Sequence, residues 1–404
     1  MNAPTRSPPI WRIVTESFSE AEFLWGRWES ALDSHRHTLE DVSFWVEERL
    51  LGAVEGVAVG GSRAIAELLL PAIVGRRRRA ATVAAYVLAS MGRDGDDVLM
   101  TALRTASPER VADIARGMEL TDDRTAPERW FARVRDLPAE GQAALIRIYA
   151  YRQLAAPAGM DALVDGTSLA VQCRSLELAG TTRASWARPY IDWGLERSKP
   201  ALRIAAARSG MILGVQRARH VAHELVTAGV DGSDALLVPI ALGYGEQALG
   251  VLVERTRRSE PTRALFDALA AVGTVAAGDV CAQLIHDGTA PVLAADALRA
   301  IAGIEGNGAF SDDEDGGLPR PNPPALLDRW KAVRAEYHNK ARYFSGAPLG
   351  PDGLGPALQR ATTRRRHMLA TDLALRTAGL GVVSTNAWTA VQRAQMSAVS
   401  PRQA

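Results

Sequence analysis

The chain is expected to be an all-α, HEAT-like α-solenoid with a helical cap at each end. Three observations predict this: alanine-rich amphipathic stretches that close on glycine, closing glycines spaced about 30 residues apart, and no convincing run of period-two alternation. Its longest apolar runs carry alanine and leucine more than β-branched residues, which argues against a sheet.

Four stretches share the pattern most clearly: Ser168 to Gly180, Ser198 to Gly214, Ser259 to Gly273 and Thr289 to Gly303, with a further stop at Gly243 or Gly245. Shorter helices are predicted between them at Trp186 to Arg197, Gln216 to Ala228, Glu246 to Arg257 and Gly278 to Asp287. Ala218, Val221, Ala222, Leu225 and Val226 show why: three-and-four spacing gives each helix one apolar stripe. A single helix pair cannot bury such stripes, so pairs must stack against their neighbours. Small residues such as Ala205 to Ala207 and Gly210, or Ala294, Ala295, Ala297 and Ala300, let the stacked backbones approach. Weaker units at Ala80 to Gly92, Pro108 to Leu120 and Gly141 to Leu154 extend the solenoid over 64–304. Its inner helices are expected to line the concave face of a curved, elongated array.

Residues 1–63 read as the amino-terminal cap. Ser19 with Glu22 forms one capping box and Thr38 with Asp41 another, the second opening a helix that carries Val42, Trp45, Val46 and Arg49. Residues 305–324 are rich in glycine, proline and acid and read as a linker. Residues 325–404 read as the carboxy-terminal cap, with Leu327, Trp330, Val333 and Tyr337 on one helix, then a last pair at Leu354 to Thr362 and Arg365 to Gly379. Trp25, Trp45, Trp330 and Tyr337 are expected to shield the ends.

Composition bounds the function. With 47 basic against 46 acidic residues the net charge is +1, so no global field favours nucleic acid or an anionic membrane. Lysine occurs only at Lys199, Lys331 and Lys340; arginine supplies the rest. Cys173 and Cys281, isolated in apolar stretches, give neither a disulfide framework nor a zinc-ligand spacing and fit a reducing cytoplasm. The first nine residues lack an apolar core and no window nears 18 uninterrupted apolar residues, so neither a signal peptide nor a membrane span is expected.

Motifs that carry chemistry are scarce. Gly243, Gly245 and Gly250 have the wrong spacing for a dinucleotide fingerprint, no Gly-Lys-Ser/Thr ends a glycine-rich loop, and no Gly-x-Ser-x-Gly elbow occurs. The acid run from Ser311 places Asp313, Asp315 and Gly316 in phase with a calcium loop, but its twelfth position is Asn322 and the bidentate acid is missing. His35 with His37, and His220 with His223, are each short of a metal-ligand set. The two cysteines fit core packing. Arg76 to Arg79 and Arg364 to Arg366 either grip phosphate or an acidic peptide or form solvated helix faces; the solvated face is the expectation.

Phe23-Leu24-Trp25, Leu39, Asp41, Glu48-Arg49-Leu50, Val54-Glu55-Gly56-Val57 and Val59-Gly60-Gly61, together with Arg342-Tyr343-Phe344-Ser345-Gly346 and Pro348, resemble an uncharacterised family of proteobacterial HEAT-repeat proteins. Genes of that family often lie near type VI secretion clusters, and the resemblance implies an accessory or adaptor role with no catalytic residue; no cofactor is expected. Glu47 stands where the family pattern has aspartate. The expected function is therefore a cytoplasmic, non-enzymatic scaffold for a protein partner, a type VI effector or spike component, with no nucleic acid or membrane partner. Arg203, Arg208, Arg263 and Arg299 are the candidate contacts, because arginine's planar fork pairs with carboxylates and stacks on aromatics. The alternative is an enzyme of lyase or glycosylase type built on the solenoid.

Overall fold

The computed structural model describes residues 9–399 apart from 161–162, 164–165, 167, 184, 259, 307 and 312–316. Residues 1–8, Ser259 and Asp312 to Gly316, on which the leader, one repeat start and the calcium-loop reading fall, lie outside the described residues. The fold is all-α and solenoid-like. The chain divides into two compact units, one of residues 1–184 with 386–393 and the other of 185–385 with 394–404.

The first unit contains α1 (Trp11–Ala31), α2 (Leu39–Val42), α3 (Glu48–Ala58), α4 (Gly61–Ala64), α5 (Leu70–Val74), α6 (Arg78–Ser90), α7 (Arg93–Thr105), α8 (Pro108–Glu119), α9 (Ala126–Phe131), α10 (Ala139–Arg152) and α11 (Leu169–Thr182). Alternate helices stack: α6 on α8, α8 on α10, α10 on α11. Small residues make this possible. A Cβ on Gly117 would lie 2.3 Å from the carbonyl oxygen of Thr82, so α8 sits directly on the backbone of α6.

The second unit contains α12 (Ala187–Leu195), α13 (Pro200–Ile212), α14 (Gln216–Thr227), α15 (Leu237–Tyr244), α16 (Leu249–Arg258), α17 (Arg263–Val272), α18 (Val275–His286), α19 (Pro291–Ala302), α20 (Pro323–Arg334), α21 (Leu354–Arg360) and α22 (Thr363–Arg376); the last helix, α23 (Thr389–Ala398), starts in the first unit's 386–393 segment and ends among residues of the second. Here α13, α15, α17 and α19 stack in sequence while α14, α16 and α18 flank them. The repeat is closed where the sequence places its glycines: Gly214, Gly245, Gly273 and Gly303 all have positive φ, about 30 residues apart. Gly180 is different. It is buried inside α11, and the left-handed closing position falls on Arg183 at φ 52°.

Two further expectations change. Ser19 does not cap a helix; α1 runs through it from Trp11 to Ala31, and its hydroxyl donates to the Thr15 carbonyl at 3.3 Å. The apolar stripe on this helix begins earlier, at Val14 and Phe18, so packing continues the helix across the local capping signal. Thr38 and Asp41 do form a capping box, with Asp41 Oδ2 accepting from the Thr38 amide at 2.8 Å. Beyond it, Ser43–Glu47 is a π-helical turn. The extra residue moves the buried stripe from Val42 to Glu47 and then Leu50, five and three steps on, and leaves Trp45 64% exposed. Trp45 therefore shields nothing, whereas Trp25 and Trp330 are buried.

The sheet content among the described residues is two antiparallel pairs of two-residue strands, β1 (Phe310–Ser311) with β2 (Arg320–Pro321) and β3 (Tyr343–Phe344) with β4 (Ala347–Pro348). The second is a tight hairpin turning at Ser345 and Gly346, both at positive φ. It has a structural task. The Tyr343 amide donates to the Gly273 carbonyl at 2.8 Å, and the amides of Ser345 and Gly346 donate to the carbonyls of Ala300 and Ile301 at 2.7 and 3.0 Å. The hairpin thereby satisfies carbonyls that the ends of α17 and α19 would otherwise leave open. Trp330 of α20 packs against Gly278 of α18 and donates to Asp279 at 3.1 Å. The stretch Ser233–Arg258 is long and apolar enough to cross a membrane by composition, yet its Leu236, Leu237, Ile240 and Ala241 are buried within this unit.

Candidate functional site: an arginine-lined pocket

In the second unit α22 lies against α13 and α15, the helices that the repeat stacks side by side. A pocket of about 240 Å³ opens there, lined by Arg208 of α13, Arg263 and Asp267 of α17, Arg364 and Arg365 of α22, and Asp234 from the turn before α15, with His367 and Met368 beside them. Two of the four candidate arginines thus meet in one site. The other two do not line it. Arg203 Nη2 lies 3.3 Å from Glu224 on α14, and Arg299 forks onto both oxygens of Glu305 at 2.8 and 2.7 Å.

The arginine runs separate in the same way. Arg76 to Arg79 lie on an exposed stretch, where Arg77 and Arg78 pair with Glu22 and Asp113 at 2.5 and 3.0 Å. Arg364 to Arg366 are not a solvated face. Arg366 is 1% exposed and donates to the Leu358 carbonyl. Arg365 Nη2 donates to the Asp296 carbonyl at 2.6 Å and to its Oδ1 at 2.5 Å. Arg364 Nη2 lies 3.3 Å from Asp296 Oδ2, with 9% of its side chain exposed.

Electrostatics within the pocket are uneven. Four guanidiniums face two carboxylates; adding the second row, Arg255 paired with Asp234 at 2.6 Å and Asp296 behind Arg364 and Arg365, keeps the excess at two positive charges. Burial raises the Asp267 carboxyl above the usual aspartate range, although Arg365, Arg364 and Arg263 pull the other way. Burial likewise lowers Arg364, against the attraction of Asp296. The Arg364 Nε is buried with no hydrogen-bond partner in the protein. Arg208 is exposed and makes no ion pair among the described residues.

Sequence reading missed Asp234, Asp267 and Asp296. The signal was present: Asp267 and Asp296 are lone acids inside alanine- and leucine-rich helices, about one repeat apart. A buried acid in such a helix needs a cation, and the only long basic run downstream is Arg364 to Arg366.

The remaining candidates lie apart from the pocket. Cys281 is fully buried and its thiol is pushed up to about 12, and burial also raises Cys173. His35 is buried and accepts from Arg36 Nε at 3.2 Å, His220 lies 3.4 Å from Glu224, and His223 packs on Tyr244 at 5.5 Å. Among the described residues, no group of three His, Cys, Asp or Glu side chains is placed to hold a metal ion. No family model, curated protein or solved structure matches the chain.

Proposed function

We propose that the chain is a non-enzymatic cytoplasmic scaffold that holds a protein partner by an anionic group seated in the arginine pocket of its second unit. The observation that supports this reading is the convergence of Arg208 and Arg263, from two helices of the repeat, with Arg364 and Arg365 of α22. Guanidinium forks bind carboxylate and phosphate bidentately and make strong anchors when partly desolvated. The resemblance at both ends of the chain makes a type VI secretion effector or spike component the leading partner.

Affinity capture from the native cells, with mass spectrometry of the eluate, tests the reading. The Arg208→Glu/Arg263→Glu variant should lose the partner while its helical circular dichroism is unchanged. An Arg203→Glu/Arg299→Glu variant, altering arginines already engaged by Glu224 and Glu305, should retain it. Retention by the pocket variant would place binding elsewhere. An enzyme of lyase or glycosylase type is the second reading, favoured by one observation: a partly buried pocket aspartate, Asp267, with a raised pKa suits a general acid. Under the scaffold reading Asp267→Asn leaves capture intact, and capture of no protein at all would put the enzyme in its place.

A further inference from the structure

The same pocket allows its ligand to be specified by chemical class, an inference that rests on reading it as a binding site. The lining leaves an excess of two positive charges, so a single carboxylate neutralises half of it, whereas a phosphomonoester carries about −1.5 to −2 at neutral pH.

The placement of that charge points the same way. Arg263 opens α17, a helix of 10 residues, and Thr363-Arg364-Arg365 open α22, a helix of 14; neither helix has an acid in its first turn. A helix start is its positive end and favours anions, so arginines gathered at two of them raise the local potential instead of neutralising it. Such a departure from the local rule is expected at functional or strained sites.

Arg364 adds to this independently of charge. Its side chain is more than nine-tenths buried, it lines the pocket, and its Nε has no acceptor in the protein. Buried donors are normally satisfied, and this guanidinium, beside the pocket, is left with one that the protein does not satisfy. Size is also informative. About 240 Å³ leaves room for one phosphoryl group and the first atoms of what carries it. Val238, Pro239 and Met368 give those atoms an apolar wall.

We infer that this pocket is a phosphomonoester site, in which Arg208, Arg263 and Arg364 hold one terminal phosphate and Arg365, tied to Asp296, braces the wall behind it. The phosphate is carried either by a small phosphorylated molecule or by a phosphorylated side chain of the partner, and the two sources present the same dianion.

Isothermal titration calorimetry on the full-length chain tests the assignment with inorganic phosphate, phenyl phosphate, acetate and a phosphoserine peptide as probes. Inorganic phosphate and phenyl phosphate should bind at least tenfold more tightly than acetate. Arg208→Ala, at an exposed position, should weaken phosphate at least tenfold, and Asp267→Asn, which raises the positive excess to three, should tighten it. A gain of affinity in Asp267→Asn is not produced by a merely structural role. A phosphoserine peptide bound tenfold more tightly than phenyl phosphate identifies a phosphorylated partner; equal binding identifies a small molecule. No binding of inorganic phosphate by the folded wild-type chain, acetate bound equally well, or an unchanged Arg208→Ala overturns the assignment. If the pocket variant still loses its captured protein while phosphate fails to bind, the scaffold reading stands and the phosphate assignment alone is wrong.

Discussion

Glu47 and Thr389 lie 342 residues apart in sequence, yet the Glu47 carboxylate accepts from both the amide and the hydroxyl of Thr389, at 2.9 and 2.7 Å. Trp28 Nε1 donates to the same carboxylate at 2.9 Å. One step away, the Trp388 ring lies 4.4 Å from Trp28, 5.4 Å from Tyr86 and 6.0 Å from Trp25, and its Nε1 donates to the Leu120 carbonyl at 2.8 Å. The segment 386–393 is therefore core of the first unit, not a tail. Trp388→Ala should cost about 3–5 kcal/mol, read as a lower urea midpoint, because it empties a buried aromatic site. Truncation at residue 324 removes this segment and α22 together and should yield aggregating protein. A truncated chain that stays monomeric with an unchanged melting temperature would make residues 325–404 a separate appendage.

Glu47 also predicts a pH dependence. Burial raises its pKa above the usual 4.5, outweighing the bonds from Thr389 and Trp28 that favour the carboxylate. The folded state then holds a proton that the unfolded state has released, so this residue's contribution is complete below about pH 4.5 and is lost as pH rises through the folded pKa. Urea denaturation of wild type and Glu47→Gln across pH 4.5 to 8 should show the wild-type advantage shrinking as pH increases. An advantage that grows with pH would mean that hydrogen bonding, not burial, sets this carboxyl.

The repeat was legible because its signals are local: a glycine stop and an apolar stripe recur each period, and Gly214, Gly245, Gly273 and Gly303 close helices as they should. The burial of Glu47 and exposure of Trp45 were not, since a π-helical turn has no reliable local code and rephases every residue after it. The pocket was half legible. Arg208 and Arg263 follow from the repeat register, but their meeting with Arg364 depends on where α22 returns, a long-range contact that no spacing encodes.

Two glycines of helical conformation should respond to alanine with opposite sign. In α3 Gly52 has nothing within 4 Å of an added Cβ, so Gly52→Ala should gain about 0.5–1 kcal/mol from helix propensity alone. In α8 the same change at Gly117 places a methyl 2.3 Å from Thr82 O and 2.7 Å from the Tyr86 amide, both backbone atoms that cannot rotate away. Gly117→Ala should therefore lose about 1–3 kcal/mol despite the better propensity. Thermal denaturation of the two variants decides it, and a stabilised Gly117→Ala would refute the close α6–α8 packing.

Asp296 carries the tightest test of the arginine pocket's construction. It is 4% exposed and is the carboxylate that joins Arg364 and Arg365, whose side chains are 9% and 10% exposed. Removing one member of a buried ion pair leaves the other charge desolvated, at a cost of about 3–5 kcal/mol. Asp267 differs: 27% of its side chain is exposed, Arg263 beside it is 41% exposed, and Arg365, 3.8 Å away, keeps Asp296 as its closer partner, so the loss of Asp267 leaves no buried arginine unpaired. Asp296→Asn should therefore unfold at clearly lower urea than Asp267→Asn. A ligand that binds only the folded state stabilises it by mass action, so phosphate in the buffer should restore part of the loss in Asp296→Asn relative to chloride at equal ionic strength. Equal stability of the two variants would show that Asp296 does not hold the arginines in place.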